Sequence, residues 1–188
     1  MTEFEKTHEN EYVFGFEESY GCLVGTHARD KDGIVAVMML SELAAYYKRQ
    51  GLTLWDQMIN IYEKYGYYKE GITSITMEGA DGAEKIKKIM ETLRKNAPKE
   101  FGNYKVTKTK DYKASICKDM KTNEETKITL PASNVLYYDL ENDAWCCARP
   151  SGTEPKIKFY MGIKGNTAEE ADKMLEELKQ AVLEKIKE

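Results

Sequence analysis

The chain has 188 residues and a formal net charge of −4, from 28 Lys and Arg against 32 Asp and Glu. Apolar residues make up 41% and charged residues 32%, the balance of a folded globular chain rather than a disordered one. Weak acidity argues against a nucleic-acid footprint, which needs Lys and Arg gathered on one face, and no apolar run approaches the roughly 18 residues of a membrane span.

Residues 1–10 are polar and charged, unlike a signal peptide. The four cysteines, Cys22, Cys117, Cys146 and Cys147, fit no zinc pattern, because an adjacent pair cannot form a CxxC clamp. They sit in apolar stretches, so partly buried thiols of a reduced, cytoplasmic chain are expected. A thiol nucleophile paired with His8 or His27 is the alternative.

Glu11 to Phe14 reads as a short strand that runs into the polar loop Gly15-Phe16-Glu17-Glu18-Ser19-Tyr20-Gly21. Ile34 to Gln50 reads as a helix with Val35, Met38, Met39, Leu43 and Ala44 on its apolar face. Asp32 is placed to cap it and Gly51 to end it. Thr53 to Asp56 opens a second helix with a capping-box pattern, facing inward with Leu54, Met58, Ile61 and Tyr62 or Tyr65. One strand and two helices cannot close a core by themselves. Residues 1–66 are therefore expected to be the end of a larger α/β domain.

Residues 67–188 look more complete. Tyr67 to Met77 suits a strand, and Asp81 is placed to cap a helix over 82–96 with Ile86, Ile89, Met90 and Leu93 on one side. Strand-like runs follow at 104–109, 127–130, 134–140, 144–148 and 156–161. The last alternates, with Ile157, Phe159 and Met161 on one face and Lys156, Lys158 and Tyr160 on the other. Thr167 to Glu170 is a capping box for a final helix whose stripe is Ala171, Leu175, Leu178, Val182 and Ile186. The expectation is an α+β domain, an antiparallel sheet with two helices on one face.

Three loops carry chemistry. Arg149-Pro150-Ser151-Gly152-Thr153-Glu154-Pro155-Lys156 lies between two strands. Its prolines stiffen both ends, and its backbone N–H groups can form an anion nest. Hydroxyls at Ser151 and Thr153 and the Arg149 fork complete the parts of a phosphate cradle. The same residues also suit a plain rigid hairpin turn with Arg149 paired to Glu154. Glu17, Glu18 and Ser19 can hydrogen-bond vicinal sugar hydroxyls between walls of Phe16 and Tyr20, or simply form a solvated acidic loop. In Arg29-Asp30-Lys31-Asp32-Gly33, Lys31 can act as a point charge on phosphate or as a proton donor, or the stretch can be a surface charge cluster at a helix start.

Taken in order, FGFEESYG, RDKDG and RPSGTEPKIKFY resemble the phosphohexomutase superfamily, and within it the bacterial phosphoglucomutases. The resemblance implies a four-domain enzyme of which this chain supplies the end of the third domain, residues 1–66, and the fourth domain, residues 67–188. It implies that Glu17 and Ser19 bind the sugar, that Lys31 has a role in proton transfer or charge, and that Arg149, Ser151, Gly152 and Thr153 grip phosphate. It further implies conversion of glucose 1-phosphate to glucose 6-phosphate through a phosphoserine and a bisphosphate intermediate. Magnesium would be held by a loop this sequence does not contain, and glucose 1,6-bisphosphate would serve as intermediate or activator. The expected partners are a hexose phosphate and the N-terminal domains of the same protein, with no nucleic acid and no membrane. Phosphomannomutase or phosphopentomutase specificity, and a non-catalytic sugar-phosphate-binding module, stay open.

Overall fold

The structure is a computed structural model of the chain and describes residues 2–16, 21–77, 79 and 81–187. It divides into two compact units, residues 1–61 and 62–188.

In the first unit a short helix α1 (Thr2–Thr7) precedes a hairpin of β1 (Phe14–Phe16) and β2 (Cys22–Val24). The strand expected at 11–14 is displaced. Pairing begins only where Phe14 meets Val24 and ends where Phe16 meets Cys22, because the partner backbone, not the apolar run, sets strand length. Asp32 then exchanges backbone hydrogen bonds with Cys22, donating its N–H at 3.0 Å and accepting at 3.4 Å.

Helix α2 (Gly33–Lys48) starts at that bridge. Asp32 caps it as expected, its Oδ1 accepting from the N–H groups of Ile34 at 2.7 Å and Val35 at 3.4 Å. Gly51, at φ +76°, ends it in the left-handed conformation. Helix α3 (Leu54–Tyr65) opens on a reciprocal box. Thr53 donates its N–H and hydroxyl to Asp56 Oδ2, and the Asp56 N–H donates back to Thr53 Oγ1 at 3.1 Å.

The apolar faces expected on α2 and α3 are largely uncovered. Met38, Leu43, Leu54, Met58, Ile61 and Tyr65 are exposed, and α2 buries no residue. Among the described residues of the first unit only Cys22 is buried. A two-stranded hairpin has too little surface to cover both helices.

The second unit is built from β3 (Tyr67–Thr76), α4 (Gly82–Lys95), β4 (Glu100–Phe101), β5 (Tyr104–Asp111), β6 (Ile116–Asp119), β7 (Glu125–Lys127), β8 (Leu136–Leu140), β9 (Trp145–Pro150), β10 (Lys156–Gly165) and α5 (Ala168–Lys187). The sheet is antiparallel in the order β3-β10-β9-β8-β5-β6-β7, with β4 paired to β5. Short, charged β4 and β6 carry no apolar alternation and are invisible to periodicity. The run expected at 127–130 is displaced: β7 spans Glu125–Lys127 and shares only Lys127 with it, pairing ending well ahead of Pro131, which cannot donate to a ladder. Asp81 occupies the N-cap position of α4 but makes no side-chain cap bond.

Both long helices cover one face of this sheet. Ile86, Met90 and Leu93 of α4 and Ala171, Leu178 and Val182 of α5 join one core cluster with Ile157, Phe159, Met161, Tyr138, Cys146 and Ala148. The expected alternation of β10 holds, since Ile157, Phe159 and Met161 are all fully buried. On the opposite face Tyr137 stacks on Trp145 with centroids 5.5 Å apart. There Lys110 Nζ lies 4.8 Å from the Tyr137 ring and donates to Asp139 Oδ1 at 2.9 Å.

Candidate anion-binding site

The turn between β9 and β10 is held by its own backbone. Ser151 N–H donates to Lys156 O at 2.8 Å, and Lys156 N–H donates to Glu154 O at 2.7 Å. Ser151 Oγ accepts from the N–H groups of Thr153 and Glu154, both at 3.3 Å. The expected run of outward backbone amides is therefore corrected. The Ser151 hydroxyl gathers two of them into a local turn, a role short hydroxylated side chains often take. A hydroxyl that accepts twice still has its own proton to donate. The donors of the turn left without an internal partner among the described residues are thus the Ser151 and Thr153 hydroxyls and the N–H of Gly152. A Cβ built on Gly152 would meet nothing within 4 Å, so the space outside this residue is open.

The Arg149–Glu154 pair that would mark a plain hairpin does not form. Glu154 pairs instead with Lys156, at 3.1 Å. Arg149 is exposed, and no ion pair holds it among the described residues. Directly opposite it on β10 stands Lys158, also exposed and also without a carboxylate partner among the described residues. Their inward-facing neighbours Ala148, Ile157 and Phe159 are buried, so both cations stand on the sheet face away from the helices. Like charges facing each other across a ladder repel and invite an anion between them.

Lys158 escaped the sequence reading. Its alternation with Phe159 placed it on the polar face, but only the pairing register puts it beside Arg149. On its other side the turn lines a cavity of about 330 Å³, where Pro150, Ser151 and Glu154 meet Ala83, Ile86 and Lys87 of α4.

Two other expected site positions, Glu17 and Ser19, lie outside the described residues. Lys31, in the first unit, is half-buried. It lines a cavity of about 250 Å³ with Tyr12, Gly15, Phe16, Leu23 and Asp30. Its N–H donates to Asp30 Oδ1 at 2.9 Å. His27 is exposed.

The cysteines are all free thiols, and Cys22 and Cys146 are buried. Burial pushes the Cys146 thiol up, and the neighbouring Cys147 adds to the effect. Cys147 itself is pushed up to about 11, with Arg149 pulling in the opposite sense. Thiols held protonated in this way are poor nucleophiles, which weighs against thiol catalysis at this pair. Among the described residues no group of three or more His, Cys, Asp or Glu side chains could hold a metal ion. Among them also, no helix is long and apolar enough to cross a membrane.

Comparison with known proteins finds similar chains. Residues 4–65 match the family described as phosphoglucomutase/phosphomannomutase, alpha/beta/alpha domain III. A phosphoglucomutase of Staphylococcus epidermidis is 38% identical over 157 residues, 82% of this chain and 28% of its own length. One from Staphylococcus aureus is 38% identical over 157 residues, covering 84% of this chain and 28% of its own length. The chain thus spans under a third of the length of the curated relatives it matches. Among solved structures, the open form of the Paramecium exocytosis-sensitive phosphoprotein pp63/parafusin (phosphoglucomutase) superposes with a TM-score of 0.54. That likeness covers 90% of this chain and 30% of that one, at 17% identity, and concerns the fold.

Proposed function

Because the chain belongs to the phosphoglucomutase/phosphomannomutase family, we propose that it is the substrate-holding C-terminal part of a phosphoglucomutase. The 149–156 turn grips the phosphate that does not react. Arg149 and Lys158 neutralise its charge, while the Ser151 and Thr153 hydroxyls and the Gly152 N–H fix its oxygens. Glu17 and Ser19 bind the sugar hydroxyls, and Lys31 supplies charge or a proton near the sugar. Phosphoryl transfer depends on positioning and charge neutralisation more than on covalent help from the protein. Holding one end of glucose 1-phosphate or glucose 6-phosphate therefore sets the other end in line.

In this reading a phosphoserine and a magnesium ion would be supplied by other domains of the protein. The described residues offer no ligand set for that metal, so no step here runs through it. The serine phosphate passes to the free hydroxyl, giving glucose 1,6-bisphosphate, whose other phosphate then returns to the serine. The chain alone binds and does not turn over.

The observation that carries this reading is that Arg149, immediately before the turn, stands opposite Lys158 in the β9–β10 ladder with no carboxylate partner for either among the described residues. Titration of the 188-residue chain with glucose 1-phosphate, followed by amide NMR, tests it. Resonances of residues 149–158 are expected to shift saturably, with an affinity that falls as salt rises. Arg149→Ala is expected to abolish the shifts. A titration that leaves these resonances unmoved overturns the reading.

A further inference from the structure

If the 149–156 turn is the phosphate grip proposed above, its placement depends on a junction that no side chain builds. Three backbone segments meet at its C-terminal arm. Just past the end of β3, the Met77 N–H donates to Pro155 O at 2.9 Å. Gly82, the first residue of α4, is buried against the same point. A Cβ built on Gly82 would lie 1.9 Å from Met77 O and 3.2 Å from Pro155 Cβ. Met77 O belongs to the backbone that holds Pro155, so it cannot swing aside as a flexible side chain would. No side-chain cap holds the start of α4, since Asp81 makes none. Close approach at residue 82 sets the start of the helix against this arm, while Ile86, Met90 and Leu93 anchor the rest in the core.

We propose that Gly82 is a positioning residue for the phosphate site. Its missing side chain lets α4 close on Met77 and Pro155, and that contact holds the arm of the turn that follows Ser151, Gly152 and Thr153. An added methyl group must push α4 or Pro155 away. The displacement passes to Ser151 through the Lys156–Glu154 and Ser151–Lys156 backbone bonds.

The fold contains its own control. Gly165, at the far end of the same β3–β10 ladder opposite Tyr67, lies against the start of α5. A Cβ there would be 2.8 Å from Ala171 N, also a clash with backbone, though milder than the 1.9 Å one at Gly82. At about 3.3 Å per residue, the nine residue steps from Lys156 to Gly165 place this clash about 30 Å from the turn.

The experiment titrates the full chain with inorganic phosphate and with glucose 1-phosphate, and records thermal midpoints alongside. Gly82→Ala is expected to weaken binding about tenfold and to move the ligand-free amide resonances of residues 151–153, while Gly165→Ala lowers the midpoint but changes affinity less than about twofold. If Gly82→Ala does not fold, Pro155→Gly removes the carbon that Gly82 faces and is expected to show the same loss. Affinity unchanged in the Gly82 variant, or in the Pro155 variant where that one is used, overturns the proposal. A wild-type chain that binds with no dependence on Arg149 overturns the phosphate reading, and this proposal with it. Binding that needs Arg149 but ignores residue 82 overturns the proposal alone.

Discussion

Arg149 on β9 and Lys158 on β10 face each other across the antiparallel ladder, and among the described residues no carboxylate pairs with either. Two cations at this spacing destabilise a sheet in the absence of an anion and stabilise its complex with one.

Lys158 is accordingly expected to report on both states. Lys158→Ala weakens phosphate binding about tenfold, the loss of one charge-assisted contact, and shallows its salt dependence. In low salt without ligand the same variant melts no lower than the wild type, because a repulsion has been removed. Calorimetric titration at two salt concentrations, with a melt of each ligand-free sample, measures both. Unchanged affinity would place the anion elsewhere.

Alkaline stability follows from the outer sheet face. Burial pushes Cys147 up to about 11 from 9.0 and Tyr137 up to about 12 from 10.0, with Asp139 adding to the latter. Between pH 9 and 11 the unfolded chain releases the Cys147 proton and the folded chain keeps it; Tyr137 behaves likewise between 10 and 12. Rising pH therefore favours unfolding across these windows. The contribution is intact below about pH 9 and is lost as pH passes the folded values. Urea midpoints measured from neutral to alkaline pH should fall in this range, and less steeply in Cys147→Ala and Tyr137→Phe. Identical slopes in all three proteins would refute the assignment.

The second unit should lose stability at two sites by different mechanisms. Leu178 is fully buried between α5 and the sheet, so Leu178→Ala leaves a cavity and costs about 3 kcal/mol. Thr167 Oγ1 accepts from the Glu170 N–H at 3.1 Å at the start of α5, and Thr167→Ala costs about 1 kcal/mol. Urea unfolding of each variant gives the comparison. A larger loss at Thr167 than at Leu178 would contradict this account of the core.

The first unit should associate. Ile34, Val37, Met38 and Leu40 on successive turns of α2, and Trp55 of α3, are exposed apolar residues. Sedimentation velocity is expected to show concentration-dependent association of the full chain, with residues 62–188 monomeric at the same concentration. Replacing Val37 and Met38 by Lys should restore a monomer. Association that persists in residues 62–188 would locate the sticky surface elsewhere.

Local signals read well from the chain itself. Asp32, Thr53 and Thr167 were each legible as caps because a cap is decided within four residues. The alternation of Ile157, Phe159 and Met161 named the buried face of β10 for the same reason. The turn from Arg149 to Lys156 was equally visible, since prolines and short hydroxylated residues constrain backbone locally. Strands as short as Glu100–Phe101 were not, because only their neighbours make them strands.

What the chain by itself determined was therefore the set of groups that can meet an anion: a guanidinium, two hydroxyls and a turn. Tertiary structure alone decided how they are spent. It set Lys158 beside Arg149 and brought Gly82 against the arm of the turn. Register and helix docking join residues far apart in sequence, and no local pattern encodes such distances.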